Sequence, residues 1–421
     1  MRCCGALLLR VQGRRRCMLL AMTVMTVLFL HLLVHRQVVD PFELLRLRAG
    51  MGEGHLGPEA LQVTFQSPVT TPPRQDTPKK ESKAKKQPPK KTSQKTNKPK
   101  VDPLMNNTVL LTKWPPKVKY PLMMFNNPGR LGNRLNSYAT SLRFQAVHKG
   151  NATVATSRDT VQRLMELLDP TYLPLPVAEK SLVEKAKEKK AFVAVGPNWA
   201  KSDFVTHLEP TFQKAEKEFR KNHEPKLYSL GGYPNRMWLL AGHHDTIRAA
   251  YRIREDLRQK AARFLEGVRQ KRGLQDITFV GFHIRRTDYT KVIKTYYKCS
   301  LPGPAYYESA LNYYRNKLQN PVFVVASDSS TYARQHLKGH KDVEFSDMKS
   351  PAEDMALLGS CSHSIMTVGS YGFWASFFAG GEVVYPLGVN CTVTPFVHPD
   401  TLGPRGYENF KPFDMDGGGP L

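Results

Sequence analysis

Hydrophobic and polar positions change rhythm several times along the chain. Tyr120 to Phe125 (YPLMMF) is a short apolar run closed by the turn formers Asn126, Asn127, Pro128 and Gly129, so a strand should stop there. Apolar residues then recur at Leu131, Leu135, Tyr138, Ala139, Leu142, Ala146 and Val147, the spacing of one helical face. His148, Lys149 and Gly150 end that helix before a strand at Thr153 to Ala155. From Val161 to about Asn222 the pattern is mixed and helical, and Asp245 to Arg269 reads as one long amphipathic helix rich in Arg. Ile277 to Arg285 (ITFVGFHIR) predicts a buried strand that ends in polar residues. Helices are then expected at Tyr306 to Leu318, Thr331 to Leu337, Ala352 to Ser360 and Gly372 to Ala379. Strands are expected between them at Val322 to Ser327, Val343 to Phe345, Ser364 to Gly369 and Val383 to Tyr385. This alternation predicts an α/β fold, a parallel sheet with helices on its faces. Such sheets bind ligands at the carboxyl ends of their strands. Attention therefore falls on Gly129 to Asn133, His283 to Tyr289, Ser327 to Ser330 and Gly369 to Tyr371.

The N-terminal part follows other rules. Cys17 to Val34 is 18 residues without a formal charge, near the short end of what spans a bilayer as a helix. Arg2, Arg10, Arg14, Arg15 and Arg16 precede it and fewer cations follow closely, so the positive-inside bias predicts a cytosolic tail at 1–16, a signal-anchor at 17–34 and a lumenal remainder. A cleaved signal peptide is the rival, but no small-x-small cleavage site follows. Residues 35–119 lack hydrophobic periodicity and become dense in Pro and Lys, a composition that cannot bury enough apolar surface to offset its ordering entropy. They read as a stem. The expected catalytic part then divides at 120–270 and 271–398, with a tail at 399–421.

Charge changes this picture little. The chain has 62 Lys and Arg against 36 Asp and Glu, a formal +26, of which Val101 to Leu421 keeps +13. The Lys run at Lys79 to Lys100 is broken by prolines and has no interleaved aromatic, so a nucleic-acid partner is not expected. Cys299, Cys361 and Cys391 allow at most one bridge among them, and Cys3, Cys4 and Cys17 lie near the membrane. Sequons at Asn106, Asn151 and Asn390 are glycosylation candidates if the lumenal placement holds.

The chemistry gathers at two strand ends. On a strand His283 and Arg285 project together while Ile284 and Arg286 take the other side, so Arg285 is the better phosphate ligand. A guanidinium can grip a diphosphate with two parallel hydrogen bonds, although an Arg–Asp pair trimming a strand end fits the same spacing. Ser370 and Tyr371 precede Gly372 at the start of a helix, where free amides and the dipole favour anions. Glu353 and Asp354 start the helix before it.

The strings GRLGNRLNSYAT (Gly129 to Thr140), HIRRTDY (His283 to Tyr289) and EDMALLGSCSHSIMTVGSYGFWASFFAGGEVVYP (Glu353 to Pro386) resemble the galactoside α-1,2-fucosyltransferases. The resemblance runs from about Tyr120 to Pro386. It implies a GT-B-like architecture of two Rossmann-like halves in a type II Golgi membrane enzyme. Such an enzyme moves L-fucose from GDP-fucose to a galactoside glycan, inverting the anomeric centre without a metal ion. By position, His283 and Arg285 would hold the diphosphate, Asp354 would contact guanine, Ser370 and Tyr371 would hold phosphate, and Asn133 would lie near sugar or acceptor. The family usually has Gln where Arg134 stands, and its Gln-Ser-Trp stretch is replaced by Asn235, Arg236, Met237 and Trp238.

The single Asp-x-Asp string, Asp414 to Asp416, sits beside a Gly-rich tail and reads as surface. Without a metal, Arg285 and the helix amides would stabilise the leaving group. Asp288 is the nearest candidate general base; orienting Arg285 is its alternative role, and a reaction needing no strong base is the third possibility. A fucosyltransferase of another linkage and a membrane-tethered glycan-binding protein without turnover are the competing readings. Homodimer formation is left open.

Overall fold

Leu122, Met123, Met124 and Phe125 are all buried, the signature of a strand covered by helices on both faces of a parallel sheet. In the computed structural model this strand, β2 (Leu122–Asn126), is the centre of the first of two sheets. The structure describes residues 108–421 except 127–128, 149, 196–203, 233–236, 298–299 and 389–405. The expected signal-anchor at Cys17 to Val34, the sequons at Asn106 and Asn390, Cys299 and Cys391, and the departures at Asn235 and Arg236 lie outside the described residues. No helix among the described residues is long and apolar enough to cross a membrane.

The first sheet contains β1 (Leu110–Leu111), β2, β3 (Thr153–Ser157), β4 (Val177–Ala178), β5 (Phe192–Val195) and β6 (Leu227–Gly231). Its order is β1-β4-β3-β2-β6-β5, and every pair is parallel. Helices α1 (Leu131–Val147), α2 (Arg158–Leu164), α3 (Lys180–Glu188), α4 (Phe204–Asn222) and α5 (His244–Ala250) accompany it.

The second sheet contains β7 (Thr278–Ile284), β8 (Pro321–Ser327), β9 (Val343–Phe345), β10 (His363–Met366), β11 (Val383–Leu387) and β12 (Phe410–Asp414), in the order β12-β11-β10-β7-β8-β9. It too is parallel throughout. Its helices are α6 (Glu255–Arg272), α7 (Tyr289–Val292), α8 (Pro304–Lys317), α9 (Ser330–Leu337), α10 (Pro351–Leu358) and α11 (Ser370–Ala379). The fold is thus α/β, with two Rossmann-like halves. In each half the chain winds both ways from a central strand, β2 or β7, so each half has a switch point at that strand's carboxyl end.

Several boundaries differ from the sequence pattern. The mixed stretch to Asn222 contributes β4 and β5, short strands whose partners are distant in sequence. The helix expected over Asp245 to Arg269 is broken at Tyr251 to Arg254, because that segment pairs with Leu168: Asp169 N donates to Arg252 O at 2.8 Å and Arg254 N to Leu167 O at 2.9 Å. Helix α6, on the first side of a division at 270, packs instead with Phe279, Val322 and Leu357 of the second half. Leu110 and Leu111, within the expected stem, join the first sheet beside β4. The expected tail at 399–421 contains β12, which pairs with β11 and buries Phe410 and Phe413. Both are edge strands fixed by pairing rather than by local pattern: β1 has only two residues, and β12 (FKPFD) mixes charge and proline with its two buried Phe.

The halves share a core in which α1 packs on α11. Helix α11 (SYGFWASFFA) is apolar almost all round and is correspondingly buried. Trp374 Nε1 donates to Asn136 Oδ1, and Tyr251 OH donates to Leu135 O at 2.6 Å. Phe413→Ala should cost about 3 to 5 kcal/mol by leaving a cavity under Tyr313 at the sheet edge. Urea unfolding measures this, and an unchanged midpoint would remove β12 from the cooperative fold.

Candidate active site

Two switch points face each other across the seam. At the first, the turn after β2 opens α1 at Leu131; at the second, α11 opens at Ser370. A Cβ on Gly132 would lie 2.8 Å from both Ser370 Oγ and Tyr371 N, so only glycine permits this approach. Ser370 Oγ donates to Asn133 Oδ1 at 3.0 Å, a direct bond between the halves. Arg134 holds the turn from behind: it is 5% exposed, donates to Gly129 O and Thr160 Oγ1 at 2.9 Å each, and pairs with Asp159.

At the end of β7, alternation puts Ile284 in the core and His283 and Arg285 on the opposite side. The Arg285 guanidinium is held by two carboxylates. Nη1 donates to Asp328 Oδ2 at 2.6 Å, and Nη2 pairs with Asp288. Asp328 also accepts from Arg286 N at 2.8 Å and from the Thr287 hydroxyl, so one side chain pins the whole strand-end loop. Arg286 turns away, its guanidinium 4.1 Å over the Tyr332 ring. Asp288 therefore sits where it can orient Arg285, and Arg130 Nη2 approaches it at 3.9 Å from the first half.

His283 is 5% exposed and lies against Tyr371, ring centroids 4.8 Å apart. A Cβ on Gly372 would come within 2.8 Å of its Nδ1, which has no hydrogen-bond partner. Burial and then the Arg285 charge push its pKa down from 6.5 to about 3, so the ring is neutral at physiological pH. Asp354 stands one step away. Tyr371 OH donates to Pro351 O at the start of α10, the helix that carries Asp354. Burial raises the Asp354 carboxyl's pKa, while the Ser346 hydroxyl, donating at 2.6 Å, lowers it. Glu353 is committed to Lys260 at 2.8 Å and to Lys349 N at 2.7 Å.

The structure thus brings together His283, Arg285, Asp288, Asn133, Ser370 and Tyr371, and places Asp354 beside them through Tyr371. Asn151 is exposed in the turn before β3, and Cys361 is a free buried thiol with its pKa pushed up to about 12. Asp328 and Arg134 were missed as site residues. Asp328 lies in the loop after β8, where the strand-end rule points but names no residue; Arg134 appeared only as a departure from the family pattern. Among the described residues no group of three or more His, Cys, Asp and Glu could hold a metal ion.

A family model described as glycosyl transferase family 11 matches residues 168–401, more than half of the chain. The chain belongs to that family. Galactoside alpha-(1,2)-fucosyltransferase 1 of Bos taurus is 32% identical over 264 residues, 61% of this chain and 66% of that protein. Galactoside alpha-(1,2)-fucosyltransferase 2 of Oryctolagus cuniculus is 32% identical over 279 residues, 64% of this chain and 71% of that protein. The chain therefore spans about two thirds of the length of these relatives. A solved structure of NodZ alpha-1,6-fucosyltransferase, from a crystal soaked with GDP-fucose, overlaps 61% of this chain and 92% of that one at 14% identity, with a TM-score of 0.35.

In this family 11 chain the sign of the His283 shift fixes a pH response. The unfolded ring takes up a proton below about pH 6.5 and the folded ring refuses it until about 3, so stability should fall as pH drops through that window, by up to about 1.4 kcal/mol per unit. His283→Gln should flatten this slope. In NMR of the wild-type chain, an imidazole assigned to His283 that titrates near 6.5 would contradict the burial argument.

Proposed function

We propose that the chain transfers L-fucose from GDP-fucose to the 2-hydroxyl of a terminal β-galactoside on glycoprotein or glycolipid glycans. The observation that carries this reading is the placement of Arg285, a guanidinium at the switch point of a parallel sheet with neutral His283 beside it and the opening of α11 across from it. Membership in a family whose relatives bear galactoside alpha-(1,2)-fucosyltransferase names supports the transferred sugar, the acceptor and the linkage.

In the reaction the bond from fucose C1 to the β-phosphate oxygen breaks and its electron pair leaves with GDP. The galactoside oxygen bonds to C1 from the opposite face, which inverts the centre, and its proton passes to solvent water as the new bond forms. Arg285 meets the charge that develops on the departing diphosphate. His283, protonated on Nε2, adds a neutral donor. A preorganised guanidinium at this point substitutes for a divalent ion, so the reaction is proposed to need no metal. Asp354 is the candidate guanine contact and Ser370, Tyr371 and Asn133 line the phosphate and sugar side. Asp288 is proposed as the carboxylate that positions Arg285, since one of its oxygens is bonded to that guanidinium.

Cys17 to Val34 supports a type II anchor, and with it a Golgi location with the catalytic domain in the lumen.

Full-length chain incubated with GDP-fucose and a panel of β-galactosides should yield fucose α-1,2-linked to galactose, identified by NMR, at a rate that EDTA leaves intact. Another linkage would redirect the acceptor assignment, and inhibition reversed by manganese would overturn the metal-free step. Arg285→Ala should lose roughly 2 to 5 kcal/mol of transition-state stabilisation, read as kcat/KM. Unchanged turnover in that variant would refute the role given to the guanidinium.

A further inference from the structure

A cavity of about 520 Å³ lies at the opposite end of the strands from Arg285. Its walls come from the segment after α2 (Asp169, Tyr172), the broken helix region (Arg248, Arg252, Glu255, Arg258) and the carboxyl ends of α10 and α11 (Ser360, Phe378). Those helix ends precede β10 and β11, so the cavity faces the starts of the strands, whereas Arg285 stands at their finish. It belongs to neither switch point.

The lining charges are not all occupied. Arg258 pairs with Glu255, Asp169 accepts from Thr171 N and its hydroxyl, and Arg248 Nη1 caps α11 by donating to Phe377 O at 3.0 Å. Arg252 is exposed, and its guanidinium makes no ion pair or hydrogen bond with the described residues. Three arginines against two carboxylates leave this wall with one surplus positive charge. Tyr172 lines the same cavity with its ring 52% exposed.

A guanidinium grips a carboxylate or sulfate with paired hydrogen bonds, and an aromatic face offers an apolar platform of the size of a sugar ring. Asp169 and Glu255 can accept from sugar hydroxyls, and the volume lies in the range of small-molecule pockets. We propose that this cavity binds an anionic sugar residue, its carboxylate or sulfate on Arg252 and its ring against Tyr172. The site goes beyond the transfer reaction and is independent of the GDP-fucose reading, because none of its residues lines the Arg285 crevice. Its position across the seam means that the ligand would touch both halves.

The test is ligand-observed saturation-transfer NMR on the full-length chain, with 3′-sialyllactose, 3′-sulfated lactose and lactose titrated in the presence of excess GDP. At least one anionic sugar should bind about tenfold tighter than lactose, and the tighter of the two identifies the anion. Arg252→Ala and Tyr172→Ala should each weaken that binding about fivefold to tenfold and leave GDP binding and transfer to lactose unchanged. Equal binding of lactose and the anionic sugars, displacement by GDP, or affinity indifferent to Arg252→Ala would each overturn the site. Loss of fucosyl transfer in the wild-type chain would fail the reaction proposal and leave this one standing.

Discussion

The structure depends on how closely two helix starts approach each other. Where α1 and α11 begin, Gly132 leaves no room for a methyl group against Ser370 and Tyr371. That contact sets the distance between the halves, and it aligns two positive helix ends on one crevice. Behind it the shared core of Tyr138, Tyr251 and Trp374 makes the seam a packed interior. A dense interior resists continuous deformation. Asn133 and Ser370 therefore hold a fixed separation even though they come from turns 237 positions apart.

That rigidity gives Arg285 its meaning. With carboxylates on two of its nitrogens, the guanidinium is oriented without a ligand, so little rotamer entropy remains to be lost when an anion arrives. The same two carboxylates temper its charge, and a diphosphate has to compete with Asp288, the more exposed of the pair at 48% against 21%. The competition is therefore weighted: Asp328, tied also to Arg286 and Thr287, is the fixed partner, and Asp288 is the exchangeable one. His283 feels the same guanidinium as a cost of protonation. Burial first, and this positive charge second, keep the imidazole neutral and leave the anion-binding role to Arg285.

Much of the second half was legible in the sequence because its strands are long or strongly apolar and its helices regular: β7, β8 and β11 are found within two residues of where alternation put them. Alternation also sorts Arg285 from Arg286 in the sequence itself, since the period of a strand is geometric. The first half was harder. Strands β4 and β5 hold two and four residues and are fixed by partners far along the chain. The break at Tyr251 to Arg254 has no proline or glycine to announce it; it exists because Leu168 offers a bridge there. Asp328 lies in the strand-end segment Ser327 to Ser330 but gains no role from sequence for a related reason: a lone acid after a strand becomes meaningful only when the neighbouring strand end is seen to carry an arginine.

Arg134 fixes the turn on which this seam depends. A buried cation is tolerated only if its donors are satisfied, and this one reaches the start of α2 through Asp159 and Thr160 on one side and Gly129 on the other. Its side chain is 7% exposed while Asp159 is 75% exposed, so water screens the acid and the interior holds the base. The asymmetry implies that the neutral contacts to Gly129 O and Thr160 Oγ1 do much of the positioning, with the ion pair offsetting desolvation. A glutamine could make some of those hydrogen bonds but could not span three partners in one plane. Where this chain departs from the usual family residue, it has therefore tied the Gly129 turn to α2 with a rigid fork. The turn so fixed is the one that carries Gly132 and Asn133 to the seam.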